Sequence, residues 1–262
     1  MKIICFLVYN KKIMNENGKI KIVILAGGKG TRMNHDLPKV LVPLGGKPMV
    51  KHVIDTIKEI INEKPILIVG HKAELIQKEF GDTCDYAFQK EQLGTAHALM
   101  CAEKACGDAK EIIVLSGDQP FVKSKTITDS IEKFRKTKAT MVLTTTLVPN
   151  FSDWCKAYLP LGRVLRKNGK IIAIREYKDA SEEEKEIKEI NTACCYVFNA
   201  DWLWKNLKKV KNNNAKKEYY LTDLFQIASE ENEKIETIEM DPHESLGANS
   251  KEDLEVLEKF VK

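Results

Sequence analysis

Residues 20–33 read Ile20-Lys21-Ile22-Val23-Ile24-Leu25-Ala26-Gly27-Gly28-Lys29-Gly30-Thr31-Arg32-Met33, and the stretch continues through Leu37-Pro38-Lys39-Val40-Leu41-Val42 to Gly45-Gly46-Lys47-Pro48-Met49-Val50. The mostly apolar run Ile20–Leu25 has the length and composition of a buried strand. A glycine-rich turn follows at once, where the backbone can bend tightly and approach a ligand without Cβ clashes. Free N–H groups in such a turn, with cations close by, suit anionic oxygens. Arg32 can fork onto two phosphate oxygens, and Lys39 is a point charge that Pro38 presents on extended backbone. Leu25, Ala26, Gly27, Gly28, Lys29 and Gly30 are therefore the candidates for a phosphate-handling loop, and Arg32 and Lys39 the cations aimed at the anionic oxygens. Two common phosphate loops do not fit. A Walker A loop needs Gly-Lys-Ser/Thr, but Gly28-Lys29 is followed by Gly30 and Gly46-Lys47 by Pro48. A dinucleotide fingerprint needs a third glycine where Met33 stands.

Outward from this stretch, apolar runs alternate with amphipathic patterns. Strands are expected at Ile20–Leu25, Pro65–Val69, Glu111–Leu115 and Thr140–Thr146, and helices at Met49–Asn62, Ala73–Phe80, Thr95–Ala105 and Lys125–Lys136. Met49, Val50, Val53, Ile54, Ile57, Ile60 and Ile61 follow the helical period. Strand–helix alternation predicts an α/β, Rossmann-like, mainly parallel sheet covered by helices. Ligands of such sheets sit beyond the carboxyl ends of the strands, where the glycine loop and Gly117-Asp118 both fall. After about residue 150 the pattern changes. Gly162–Leu165 and Lys170–Ile174, joined by Asn168-Gly169, read as a hairpin. A short charged helix is expected at Ser181–Ile187, a strand at Thr192–Phe198, helices at Ala200–Leu207, Leu221–Glu230 and Lys251–Phe260, and a strand at Lys234–Met240. This predicts a small antiparallel elaboration of one domain spanning 19–262. Residues 1–18, with an apolar Ile3–Tyr9 and a polar tail, read as a dispensable extension. Residues 1–13 are the part a shorter chain tests: a variant starting at Met14 that failed to fold or lost activity would contradict their being dispensable.

Composition narrows the function classes. The 262 residues carry 42 Lys and Arg against 38 Asp and Glu, a formal charge of +4. So small an excess, without aromatic residues along a basic stripe, argues against a nucleic-acid partner. No apolar stretch is long enough to span a membrane, and no membrane partner is expected. The seven cysteines (Cys5, Cys84, Cys101, Cys106, Cys155, Cys194, Cys195) show neither framework nor Cys-x-x-Cys spacing. They suit free thiols in a reducing cytoplasm.

Two further clusters carry chemistry. In Gln89-Lys90-Glu91-Gln92-Leu93-Gly94-Thr95-Ala96 the amides of Gln89 and Gln92 suit the edge of a nucleobase. Gly94 permits close approach, and Thr95 is an expected N-cap. In Ser116-Gly117-Asp118-Gln119-Pro120 a carboxylate just past a buried strand is a hard ligand suited to Mg²⁺. His97 is expected to be packed or capped, without a catalytic role.

The glycine run with its Lys-Pro-Met ending resembles the sugar-1-phosphate nucleotidyltransferases, most closely the uridylyltransferase domain of the bacterial bifunctional N-acetylglucosamine-1-phosphate enzymes. The resemblance covers roughly residues 20–260, including Asn212–Ala215 and Glu218–Asp223. It implies the nucleotide-diphospho-sugar transferase fold, with UTP and a sugar-1-phosphate as substrates and Mg²⁺ as cofactor. It also implies a soluble enzyme of cell-envelope precursor synthesis, and leaves a homo-oligomer open. By resemblance Leu25, Ala26, Gly27, Gly28, Lys29 and Gly30 bind the nucleotide, Arg32 and Lys39 are catalytic, Gln89, Gln92, Gly94 and Thr95 contact uracil and ribose, Asp118 and Asn249 hold the metal, and Gly162, Glu176 and Asn191 bind the sugar. The chain departs from the family around the sugar. Gly-Tyr-Gly-Arg becomes Pro160-Leu161-Gly162-Arg163, Glu-Ile-Asn-Thr-Gly ends in Ala193, and Ser116 replaces a frequent Tyr. No hexapeptide repeats appear, so an acetyltransferase β-helix is not expected. The alternatives are the same chemistry with another sugar-1-phosphate or dTTP, a catalytically silent nucleotide-sugar sensor, and molybdopterin guanylyl transfer.

Overall fold

A computed structural model describes residues 20–28, 30, 33 and 35–261. The readings of residues 1–18 and of Lys29 and Arg32 lie outside the described residues.

β1 (Ile20–Leu25) leads through the glycine turn to a 3₁₀ turn at Lys39–Leu41, then to the two-residue pair β2 (Pro43–Leu44) and β3 (Lys47–Pro48). α1 (Met49–Ile60) follows directly. Its buried residues Met49, Val50, Val53, Ile54, Ile57 and Ile60 form one stripe, as the period predicts. Next come β4 (Ile66–Val69), α2 (Ala73–Phe80), β5 (Asp85–Phe88), α3 (Thr95–Cys106), β6 (Glu111–Ser116), α4 (Ser124–Thr137) and β7 (Met141–Leu147). The second half holds β8 (Arg163–Lys167), β9 (Lys170–Arg175), α5 (Glu182–Lys185), β10 (Glu189–Asn199), α6 (Ala200–Leu207), α7 (Asp223–Glu230), β11 (Ile235–Glu239) and α8 (Lys251–Glu258).

The main sheet runs β11-β7-β10-β6-β1-β4-β5, with β8 joining β10 and β9 joining β8. β5, β4, β1 and β6 are mutually parallel, as are β7 and β11. β10 is antiparallel to both of its neighbours, β6 and β7. The expected antiparallel element therefore lies inside the sheet, between two parallel blocks. Crossover helices cover both faces. Ile22 and Ile24 pack with α1 and α4 residues on one face, while Val23, Ile66 and Ile68 pack with α3, α6 and α7 residues on the other. That two-sided burial is why these strands are continuous apolar runs.

Three predictions change. β5 was missed because only Ala87 of Asp85–Phe88 is buried, as befits a short edge strand. β10 begins at Glu189, three residues before the expected start, because a register shift between Asn191 and Tyr196 interrupts its pairing with β7. Helix α3 starts at Thr95 with Gly94 as its N-cap, so Thr95 does not cap it. The hairpin holds: Asn168 and Gly169 both have positive φ, 51° and 77°, as a two-residue primed turn requires. No helix among the described residues is long and apolar enough to cross a membrane.

Candidate active site

Three segments distant in sequence meet at the carboxyl edge of β1 and β6. The ladder continues past the strands: Ala26 N donates to Ile68 O (2.9 Å) and Gly117 N to Leu25 O (3.1 Å). This fixes the turns that carry Gly27 and Asp118. The Lys39 ammonium donates to Asp118 Oδ2, and also to Asn249 Oδ1 at 3.0 Å. Ala248 N donates to Asp118 O (3.2 Å), which seats the 247–249 loop against the β6 turn. Ser250, not Asn249, caps α8, in a capping box with Asp253. Asn249 is thereby left to point its oxygen at the lysine. Gly30 also belongs here. Its φ is +60°, and a Cβ there would lie 2.7 Å from Lys39 Cβ, so a side chain would push the lysine away.

Two oxygens converging on one cation form a small, hard site. Asp118 and Asn249 supply one carboxylate and one amide oxygen, the modest protein set that Mg²⁺ takes when phosphates and water complete its shell. No group of three or more His, Cys, Asp or Glu that could hold a metal occurs among the described residues.

The residues expected to face the base stand at the other end of the edge. Gln89 closes β5 and is buried. Its Nε2 donates to Gly94 O (3.0 Å) and contacts His97 Nδ1 (3.1 Å), while Gln92 Nε2 donates to Gln89 O (3.2 Å). Gly94 is at φ +113°, and a Cβ there would lie 2.4 Å from Tyr219 O. That close approach forms a clasp. Tyr219 N donates to Leu93 O (2.7 Å) and Ala96 N to Tyr219 O (2.9 Å). Thr95 Oγ1, free of capping duty, accepts from Leu221 N (2.9 Å).

Between these ends lies a cavity of about 550 Å³, lined by Leu25, Thr95, Asp118, Glu176, Asn191 and Asn249 among others. It brings both predicted metal residues, Asp118 and Asn249, together with the predicted sugar residues Glu176 and Asn191, whereas Lys39, Gln89 and Gln92 do not line it. Glu176, after β9, accepts from Thr222 Oγ1 (2.9 Å). Burial pushes its carboxyl above the usual range. Asp223 behind it is raised to about 6, first by burial and then by the Glu176 charge. Asn191 is paired with the buried Tyr196 hydroxyl (2.8 and 3.0 Å). Gly162 does not line the cavity. It stands behind Glu176, and its carbonyl accepts from Asn191 N (2.9 Å).

Arg163, one of five arginines in the chain, does not line the cavity and is fully buried. Its guanidinium donates to the carbonyls of Lys185 (3.0 Å), Leu161 (2.6 Å), Leu159 (3.1 Å) and Tyr158 (3.4 Å). The rings of Phe151 and Tyr177 lie 4.6 and 5.2 Å from its centre. It holds the 158–161 wall, as the rigid fork of arginine allows. Ala193 sits at φ +52° in the β10 irregularity, a conformation suited to glycine, and its carbonyl accepts from Ser116 Oγ (2.7 Å).

Residues 22–166 match the MobA-like NTP transferase domain. The chain belongs to that family. Among curated relatives of this NTP transferase, the bifunctional protein GlmU of Desulfotalea psychrophila is 37% identical over 245 residues, covering 92% of this chain and 70% of the relative. The bifunctional protein GlmU of Brevibacillus brevis is 38% identical over 247 residues, covering 93% of this chain and 52% of its own length. The chain thus spans about half to two thirds of such proteins. A UDP-glucose pyrophosphorylase solved with UDP-glucose superposes with a TM-score of 0.69 at 14% identity, covering 92% of this chain and 99% of that one. That likeness establishes the nucleotide-diphospho-sugar transferase fold.

Sequence reasoning missed several cavity residues: Gln119, Tyr177, Tyr220 and Thr222. Thr222 lies within the family-like Glu218–Asp223 run, so a signal existed. Gln119 carried none beyond its place after Asp118.

Proposed function

We propose that this chain makes UDP-N-acetylglucosamine and pyrophosphate from UTP and N-acetylglucosamine-1-phosphate. The observation that carries the reading is the meeting of Lys39, Asp118 and Asn249 at one end of a cavity whose other wall holds Glu176 and Asn191. A sugar-phosphate oxygen attacks the α-phosphorus of UTP. The new O–P bond forms as the bond to the bridging oxygen of pyrophosphate breaks. The nucleophile is already anionic, so no general base is needed. What is needed is fixed positive charge and orientation.

Lys39 supplies the cation nearest the reacting phosphates, and Arg32 is assigned to the β- and γ-phosphates. Gln89 and Gln92 face the base. Glu176 accepts from a sugar hydroxyl or the acetamide N–H, and Asn191 hydrogen-bonds the same sugar. Asp118 and Asn249 would hold Mg²⁺, which when bound neutralises phosphate charge. The six described cysteines are unpaired, which supports work in a reducing compartment such as the cytoplasm.

A second reading, another sugar-1-phosphate, is favoured by the changed wall at Pro160, Leu161 and Ala193, all of which line the cavity. Pyrophosphate release from UTP with N-acetylglucosamine-1-phosphate and, separately, with glucose-1-phosphate decides between them. Turnover with the first alone supports the main reading, and turnover with the second alone supports the alternative. Turnover with neither removes the main reading and moves the test to other sugar-1-phosphates.

A further inference from the structure

His97 lies on α3, outside the cavity, and the mechanism leaves it unused. Its partner is Gln89. A primary amide has two N–H donors and one carbonyl acceptor. Gln89 Nε2 is within bonding distance of Gly94 O (3.0 Å) and His97 Nδ1 (3.1 Å), which together use both donors. A backbone carbonyl can only accept, so Gly94 decides which end of the amide is nitrogen. His97 Nδ1 must then present its lone pair, which places the imidazole proton on Nε2. The amide oxygen is turned the other way, toward the glycine turn after β1: a Cβ built on Gly27 would lie 3.2 Å from Gln89 Oε1. Gln89 itself is only 5% exposed, so the amide has little room to turn over. With both N–H groups held, the amide has only its oxygen left to offer.

From this geometry we infer that His97 is a positioning residue for base selection, completing with Gly94 O the hold that leaves Gln89 an acceptor for the imino N–H of a uracil-type base. Uracil and thymine carry a proton at ring N3, which matches a fixed acceptor. Cytosine carries a lone pair there, which sets acceptor against acceptor. The inference rests on the reading that this edge holds the base of UTP.

The test is calorimetric titration of UTP and of CTP into the whole chain with Mg²⁺ and no sugar phosphate, run beside pyrophosphate release. His97→Leu places carbon where Nδ1 stood, whereas His97→Asn places an amide oxygen at the same bond distance from the backbone. The leucine variant is expected to weaken UTP binding about 5–10-fold, the size of one neutral hydrogen bond. CTP should change less than about twofold, so the UTP/CTP ratio narrows, and the asparagine variant should restore it. At saturating UTP, kcat and the sugar-phosphate KM stay unchanged. An unchanged ratio in the leucine variant, or equal loss of both nucleotides in both variants, would overturn the inference and reduce His97 to packing. A two-bond ¹H–¹⁵N spectrum of the unsubstituted protein tests it without any variant: protonation at Nδ1 in place of Nε2 also overturns it. Wild-type protein that binds CTP as tightly as UTP yet releases pyrophosphate keeps the proposed function and removes this inference. A binding ratio that shifts as expected without turnover does the reverse.

Discussion

The two ends of the cavity are built by different means. At the phosphate end, charged and amide side chains from three distant segments, Lys39, Asp118 and Asn249, meet head to head. At the sugar end, the wall is held chiefly by backbone. Arg163 gathers four carbonyls, and the β10 irregularity turns on Ala193. Side chains that do chemistry restrict which residue can stand there. A wall held by its carbonyls leaves its own side chains free, which is why Pro160 and Leu161 can depart from the family pattern while the loop keeps its place. Under the proposed function, catalysis falls at one end and the freedom to change acceptor at the other.

The strongest way to break the comparison is at the phosphate end. Lys39→Ala is expected to lower kcat about 10²–10³-fold, in line with the loss of one preorganised charge contact. Its melting temperature should stay near wild type. Near-full turnover in a pyrophosphate assay would remove the assignment. At the sugar end the sign of the contrast reverses, since the cost should fall on stability. Arg163→Ala leaves buried carbonyls without donors and should cost about 3 kcal/mol in urea unfolding. Arg163→Lys should recover less than half, because an ammonium cannot reach all four carbonyls. Full recovery by lysine would mean that charge, not the planar fork, holds the wall.

A smaller effect tests the acidic floor behind the sugar. Asp223 titrates at about 6 in the fold, above the ordinary carboxylate value of 3.8. The folded state therefore holds its proton more tightly than the unfolded chain, and stability from this group falls as pH rises from about 4 to about 6. Asp223→Asn should stabilise at pH 7 by about 1 kcal/mol, allowing for solvent screening, and the gain should vanish below about pH 4. A gain that persists at pH 3 would exclude the ionisation as its source. The smallest effect is Ala193→Gly, which removes the Cβ from a left-handed residue. It should raise stability by about 0.5–1 kcal/mol with turnover unchanged, read from the urea midpoint.

The phosphate end was the legible one. Glycines after an apolar strand, a lysine behind a proline and an aspartate past a second strand are local patterns with chemistry attached, and the structure joins Lys39 to Asp118 as their types suggest. Only the resemblance pointed to Asn249, because an asparagine before a helix reads equally well as a cap until Ser250 is seen doing that work. The sugar wall was less legible. Arg163 gives no local sign that its acceptors are carbonyls from residues 158–161 and 185, and a strand irregularity leaves no hydrophobic period to read. β10 lies between two parallel strands because of long-range pairing, which alternation along the chain cannot reveal. Thr95 looked like a cap and proved to be a tether, since the group it bonds, Leu221 N, lies 126 positions away.

That tether belongs to the Gly94–Tyr219 clasp, and the clasp has a thermodynamic consequence. Leu93, Thr95 and Ala96 are bonded to the 219–221 segment, and the next residue, Thr222, is bonded to Glu176. The loop proposed to meet the base and the carboxylate proposed to meet the sugar are links of one short hydrogen-bonded chain. Motional freedom surrendered when either substrate docks is freedom the other no longer has to remove. Nucleotide and sugar phosphate should therefore favour each other's binding through shared order, with no direct contact between them required.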